Sequence, residues 1–188
     1  MAIIRLFIAV EIPAEIREKI AAFQDELRKS GGKVTWVKPK NMHLTLKFLG
    51  ETEESLIDEI AEKLKIAVQG KEPFKIQVKG VGAFPNFVRA RVLWIAVDDG
   101  AEKLRELASE IDKQVAVLGF EKEKRKYSAH LTIGRVKDSR SIDLVRNHMQ
   151  ENKDFSAGSF IARSIFLIKS QLTGDGPIYT ILKEIKLG

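Results

Sequence analysis

The 188-residue sequence predicts an α+β protein built from two copies of one strand, helix, strand, helix, strand unit. Three observations carry that reading. Apolar residues alternate with period two in short segments and recur at helical spacing in the segments between them. The order of segments is the same in both halves, and the tripeptide His-Leu-Thr stands in the third segment of each, at His43 and again at His130. With 44% apolar and 31% charged residues the chain falls in the globular class, long enough for one well-packed domain and too short for two independent ones. The expected organisation is a single domain over 1–188 made of two pseudo-repeat lobes, roughly 1–80 and 88–188, with room for strand exchange between them.

Ile4, Leu6, Ile8 and Val10 alternate along one face of a first strand and leave Arg5 and Phe7 on the other. Arg5 interrupts the apolar run, and Glu11, Glu15 and Arg17 follow without a small-residue cleavage pattern, so the segment reads as a strand and not as a leader. Pro13 suits a first helical turn, and Ile16, Ile20, Phe23 and Leu27 form a helical stripe that Gly31 and Gly32 end. Residues 42–49 read as a second strand, Thr52 as the cap of a helix carrying Leu56, Ile60 and Leu64, and residues 73–79 as a third strand. In the second half, residues 88–97 read as a strand, and Asp98 or Asp99 opens a helix with Leu104, Leu107, Ile111 and Val115 on one stripe. Residues 127–136 form the next strand, Ser139 or Ser141 caps a short helix with Ile142 and Val145, and residues 159–168 and 178–185 are the last strands. Gly80-Val81-Gly82 and Gly174-Asp175-Gly176 read as turns, since neither has dinucleotide-loop spacing and no P-loop pattern is present.

The chain has no cysteine, which excludes disulfides, thiolate nucleophiles and cysteine-bearing zinc sites. That fits a reducing compartment, so the cytoplasm is the expected location. No apolar run approaches the length of a membrane span, and no membrane partner is expected. The net charge of +6 and pI near 9.4 suit an anionic partner. A solvated surface rich in ion pairs, as in heat-adapted proteins, gives the same numbers, so charge alone does not choose.

The doubled tripeptide does choose. With six Thr in 188 residues, a given His has Thr two positions later about 3% of the time, so two of three His doing so has a chance of roughly 0.3%. On a strand, His and Thr two apart share a face while the flanking Leu, Leu and Leu, Ile pairs anchor the other in the core. Each strand therefore presents an imidazole beside a hydroxyl. Displacement at a phosphodiester needs one group to take a proton from the attacking oxygen and another to give one to the leaving oxygen, and imidazole can do either near neutrality. Two imidazoles on two pseudo-symmetric lobes flank one phosphorus. Thr45, Thr132 and Arg135 then donate to its non-bridging oxygens. No metal and no other cofactor is needed by such a site.

The segments His43-Leu44-Thr45-Leu46-Lys47-Phe48-Leu49-Gly50 and His130-Leu131-Thr132-Ile133-Gly134-Arg135 resemble the paired motifs of the two-histidine phosphoesterase superfamily. Arg5-Leu6-Phe7-Ile8-Ala9, Trp36-Val37, Asn41-Met42, Ser170-Gln171-Leu172 and Gly176-Pro177-Ile178-Tyr179 make the chain similar to the RNA 2',3'-cyclic phosphodiesterases, also called 2'-5' RNA ligases. The resemblance implies a bilobal fold of two antiparallel sheets around a central cleft with helices outside. It implies hydrolysis of a terminal 2',3'-cyclic phosphate on RNA to a 2'-phosphate, with reverse 2'-5' joining as a lesser activity. His43 takes the place of the general acid toward the 3' oxygen, His130 that of the base on water, and Thr45, Thr132 and Arg135 those of the phosphate-binding residues. Ala129 stands where such proteins often have proline, a change expected to affect strand entry only.

Other candidates are weaker. His148 lacks a Thr partner and reads as a packing or surface residue. The Lys-x-Asp-Gly motif of nucleotide-activating ligases is missing, so no nucleotide cofactor is implied. Arg5, Phe7, Phe48 and Arg125 are the expected RNA contacts, with Trp36 and Phe84 assigned to core packing and the Lys122, Lys124, Arg125, Lys126 cluster read as either a phosphate-tracking patch or a solvated loop. The expected partner is RNA with a 2',3'-cyclic phosphate end, transfer RNA fragments included, acted on by a monomer. Two alternatives predict different behaviour: a small-nucleotide cyclic phosphodiesterase would not prefer longer RNA, and a non-catalytic RNA-binding protein would keep binding without either histidine.

Overall fold

Alternating apolar residues build β1 (Ile3–Glu11), whose Ile4, Leu6, Ile8 and Val10 are buried as the spacing predicts. In the computed structural model, which describes residues 1–188, the remaining elements follow in order: α1 (Ala14–Lys29), β2 (Val34–Trp36), β3 (His43–Glu53), α2 (Ile57–Val68), β4 (Phe74–Phe84), β5 (Val92–Val97), α3 (Ala101–Ala116), β6 (His130–Val136), α4 (Asp143–Glu151), β7 (Ser156–Ala162), β8 (Ser164–Thr173) and β9 (Gly176–Lys186). The strands form two antiparallel sheets, one in the order β3-β1-β8-β9 and one in the order β2-β6-β5-β4-β7. That is the two-sheet architecture expected from the resemblance.

The two orders correspond strand for strand once β2 is set aside, with β3 matching β6, β1 matching β5, β8 matching β4 and β9 matching β7. The halves are interwoven. β4, from the first half, pairs with β5, and β8, from the second half, pairs with β1. The helices cross over too: α1 packs against β7 of the five-stranded sheet and α3 against β3 of the four-stranded one. A single apolar core of 40 buried residues runs through both sheets and all four helices. Gln24, fully buried on α1, donates from Nε2 to the carbonyls of Val37 and Ile133 at 2.9 and 2.8 Å, joining the approach to β3 to the middle of β6.

Several local readings are corrected. Thr52 caps no helix; it lies inside β3, opposite Ile4, with its hydroxyl on the Gly50 carbonyl. The residue before α3 is Gly100 rather than Asp98 or Asp99, at φ 91°, where an added Cβ would come within 2.4 Å of the Lys75 carbonyl. Neither Ser139 nor Ser141 caps α4; they lie in a short 3₁₀ turn capped by Asp138, and Ile142 precedes the helix. Gly80-Val81-Gly82 is not a turn but part of β4, at a bulge between Val78 and Val81. β5 begins at Val92, β6 at His130, and the predicted strand over 159–168 is two strands broken at Arg163. β2 has only three residues, too few to show a period. Phe7 and Ala9 are buried as well, in a second cluster with Ile168 that packs Phe166 and Tyr179 on the opposite face of the four-stranded sheet.

Candidate active site

The two motif strands carry the same irregularity. Ile8 pairs with Lys47 and Ala9 with Thr45, so Leu46 is an extra residue in β3; Leu93 pairs with Gly134 and Trp94 with Thr132, so Ile133 is the extra residue in β6. A bulge shifts side-chain parity by one. The residue three beyond each threonine therefore returns to the face of the histidine and threonine. In β3 that residue is Phe48, paired with Phe7; in β6 it is Arg135, paired with Val92. The cleft face thus reads His43, Thr45, Phe48 on one side and His130, Thr132, Arg135 on the other. The two motifs match in their first two functional positions and differ in the third.

The imidazoles are held alike. The Nδ1–H of His43 donates to the carbonyl of Asn41 at 3.0 Å and that of His130 to the carbonyl of Ser128 at 2.7 Å, each two residues upstream. This bond fixes the ring and leaves Nε2 as the atom that exchanges a proton. Two aromatic side chains brace each ring. His43 has Phe7 edge-on at 6.0 Å and Tyr179 at 5.4 Å between centroids; His130 has Phe84 at 5.0 Å and Trp94 at 6.1 Å. Trp94 lies over Gly82, where a Cβ would fall 2.2 Å from the indole, so that glycine is what lets the indole reach its place.

Electrostatics separate the two. The His43 side chain is 5% exposed, and its Nε2 lies 3.7 Å from Glu11 Oε1 on the neighbouring strand. Burial pushes its pKa below 6.5, the carbonyl of Asn41 opposes that, the Arg17 guanidinium lowers it further and Glu11 pulls it up. Arg17 is anchored near the ring by a bond to the Met42 carbonyl. Burial raises the phenol pKa of Tyr179 on the four-stranded sheet, and the charge of Arg135 on the other sheet partly offsets that. A second bridge spans the motifs directly: the Tyr127 hydroxyl donates to the Thr45 carbonyl at 2.9 Å, three residues before His130. Lys47 completes the frame, buried in β3, with Nζ on Asp112 Oδ1 at 2.6 Å and on the Glu121 carbonyl at 2.8 Å.

His43 and Thr45 share one face of β3 with Phe48, which is 74% exposed, and His130 and Thr132 share one face of β6 with Arg135. Arg5 is exposed on the cleft face of β1. Arg125 lies in the loop before β6 and lines, with Phe48, Phe120 and Lys122, a groove of about 470 Å³. Phe7, assigned to RNA contact, is only 4% exposed and packs against the His43 ring instead of standing free for a base. Phe84, assigned to the core, belongs to the site through His130, whereas Trp36 packs on the core beneath Arg28. His148 sits away from the cleft on α4, against Ser30 and Phe23. Glu11, Trp94 and Tyr127 carry no motif of their own; strand pairing brings in the first two and the bond to the Thr45 carbonyl the third. No group of three or more His, Cys, Asp or Glu side chains is arranged to hold a metal ion, and no helix is long and apolar enough to cross a membrane.

Comparison with known proteins gives the same site a wider frame. The model of the family described as LigT like Phosphoesterase matches residues 10–94 and again 95–179, a division that puts one His-Leu-Thr motif in each match. A Methanocaldococcus jannaschii protein named RNA 2',3'-cyclic phosphodiesterase is 43% identical over 180 residues, covering 96% of this chain and 99% of its own. An Archaeoglobus fulgidus protein of the same name is 41% identical, with 95% and 98% covered. Among solved structures, a Thermus thermophilus protein superposes with a TM-score of 0.81 at 27% identity over 97% of both chains. E. coli LigT complexed with 3'-AMP gives 0.78 at 26% identity over 99% of both.

Proposed function

The chain belongs to the LigT-like phosphoesterases, and from that premise we propose that it opens the 2',3'-cyclic phosphate at an RNA end to a 2'-phosphate, using His43 and His130 as acid and base. The observation that carries the reading is the doubled His-x-Thr motif with its doubled Nδ1 anchor, which leaves Nε2 of each ring free to exchange a proton. Water attacks phosphorus and gives its proton to His130 Nε2. The bond from phosphorus to the 3' oxygen breaks, and that oxygen takes a proton from His43 Nε2. Thr45 and Thr132 donate to the non-bridging oxygens and Arg135 binds them in a fork, stabilising the charge that builds there.

The acid role of His43 fits its surroundings once substrate is present. In the free protein, burial and Arg17 favour the neutral ring, while an anionic phosphate beside it favours imidazolium, as Glu11 already does. The difference in the third motif position gives the substrate a direction. Arg135 holds phosphate, and Phe48 on the opposite strand offers an exposed ring on which a base stacks, with Arg5 and Arg125 as further contacts. The substrates are cyclic-phosphate RNA ends, transfer RNA fragments among them, and the protein acts as a cytoplasmic monomer of two interwoven lobes; the absence of cysteine supports the compartment. Hydrolysis outranks 2'-5' joining because water is the abundant nucleophile.

The test is incubation with a short RNA ending in a 2',3'-cyclic phosphate, in the presence of EDTA, with the product identified by mass and phosphatase sensitivity. Conversion to the 2'-phosphate is expected. A 3'-phosphate product, or turnover abolished by EDTA and restored by a divalent cation, would overturn the mechanism.

A further inference from the structure

The excess positive charge of this chain is not spread evenly, and its location suggests how the rest of the RNA is held. On the helices, five cations are neutralised in place by partners three residues away: Asp25 with Arg28, Glu62 with Lys65, Glu102 with Arg105, Glu110 with Lys113 and Asp143 with Arg146. The basic loop before β6 is balanced in part, with Lys122, Arg125 and Lys126 outside any ion pair. Lys124 pairs with Glu121, Glu123 lies among the cations, and Lys47 is locked to Asp112. The outer end of the five-stranded sheet is different. Lys33, Arg89, Arg91, Arg135 and Lys137 are all exposed there, and none is in an ion pair.

Backbone bonds gather these five. The Lys137 N–H donates to the Lys33 carbonyl, and the Val136 N–H donates to the Arg91 carbonyl, both at 2.8 Å. Arg89 follows within a turn in which its N–H is held by Asn86 Oδ1. The acidic residue beside them, Asp138, is already engaged by Arg140. Lys137 and Lys33 stand one residue beyond β6 and β2, where the Lys137 N–H on the Lys33 carbonyl continues the pairing of Arg135 with Thr35, so extension of the ladder's alternation carries both to the face of Arg135. The face that carries His130, Thr132 and Arg135 therefore continues outward as Lys137 and Lys33, at a repeat of about 6.6 Å for two strand residues.

We propose that Lys33 and Lys137, backed by Arg89 and Arg91, form a track for the phosphodiesters of the RNA strand upstream of the cyclic end, and that this track makes the enzyme selective for polymer over cyclic mononucleotide. The proposal rests on the cyclic-phosphate reading and adds a direction to it. A mononucleotide ends at Arg135 and reaches neither lysine, whereas a strand anchored at Arg135 runs over both. The exit is assigned to this end because its cations continue the face that carries Arg135, whereas the loop on the far side of the cleft interleaves Glu121 and Glu123 among its cations.

The experiment compares wild type with the double variant Lys33→Ala/Lys137→Ala, and with the charge-matched double variant Lys63→Ala/Lys65→Ala on α2. It measures binding of a labelled single-stranded RNA bearing a 2',3'-cyclic phosphate as a function of salt, and turnover of that RNA and of a cyclic mononucleotide. The track variant is expected to lose about 1.4 from the slope of log affinity against log salt, about 0.7 for each phosphate contact removed. Its kcat/KM should fall on the RNA and hold on the mononucleotide, while the α2 variant keeps the wild-type slope. An unchanged slope in the track variant, or an equal loss in the α2 variant, would overturn the track while leaving hydrolysis intact. If wild type opens neither substrate, the cyclic-phosphate reading fails instead, and the salt slopes still decide whether the track binds RNA.

Discussion

Lys47→Met tests how strongly a buried ion pair ties the first motif strand, β3, to α3. The Lys47 side chain is 6% exposed and Asp112 17%, with Nζ to Oδ1 at 2.6 Å. Methionine keeps most of the stem and removes the ammonium, leaving the Asp112 carboxylate with only its bond from the Glu123 N–H. Removing one partner of a buried pair costs about 3–5 kcal/mol. The retained bond and partial exposure of Asp112 place this case at the lower end, about 3 kcal/mol, which is more than a hundredfold in the folding equilibrium. In a chain of this size that lowers Tm by about 6–12 °C. Urea unfolding of wild type, Lys47→Met, Asp112→Asn and the double variant measures it. The singles should couple, the double variant recovering about 2 kcal/mol of their summed loss. A loss below about 1 kcal/mol in Lys47→Met, or strictly additive singles, would refute the role given to the pair.

Glu11→Gln removes a group that raises the His43 pKa, so the ring titrates still lower. If His43 must be protonated, kcat/KM at neutral pH falls tenfold for each unit lost and is unchanged at pH values below the His43 pKa. If His43 were the base, neutral-pH activity would hold and the acid side would gain; the pH profile separates the two. Tyr127→Phe removes the bond to the Thr45 carbonyl, and about 1 kcal/mol of stability with it. Because the bond spans the two motifs, kcat should drop more than KM rises. Gly82→Ala puts a methyl where the Trp94 indole lies, with an expected loss of about 1–3 kcal/mol by chemical denaturation and a shift in tryptophan fluorescence.

The parts of this molecule that sequence exposes are those written in local period. Alternation in β1, the stripe of Ile16, Ile20, Phe23 and Leu27 on α1, and the paired His-Leu-Thr segments all survive in the structure. What sequence hides is pairing. Thr52 followed by a helical stripe looks like a cap, yet β3 runs on to Glu53 because β1 offers partners as far as Ile3. Gly80 and Gly82 look like a turn, but one marks a bulge and the other makes room for an indole from the adjacent strand. The exchange of β4 and β8 between sheets leaves no local trace, and neither do the pairings of β1 with β3 and β5 with β6 that set Glu11 beside His43 and Trp94 beside His130. The bulges at Leu46 and Ile133, which put Phe48 and Arg135 in equivalent positions, are likewise properties of strand pairs and not of single strands.

The central claim is that His43 and His130 act together on one phosphorus. Steady-state hydrolysis of a cyclic-phosphate RNA by wild type, His43→Ala, His130→Ala and the double variant tests it most directly, with folding of each checked by its denaturation midpoint. Each single replacement should lower kcat by about 10²–10⁴-fold, and the double variant should be little worse than the slower single, because the two groups serve one transition state. Activity within about tenfold of wild type in either folded single variant would contradict the account.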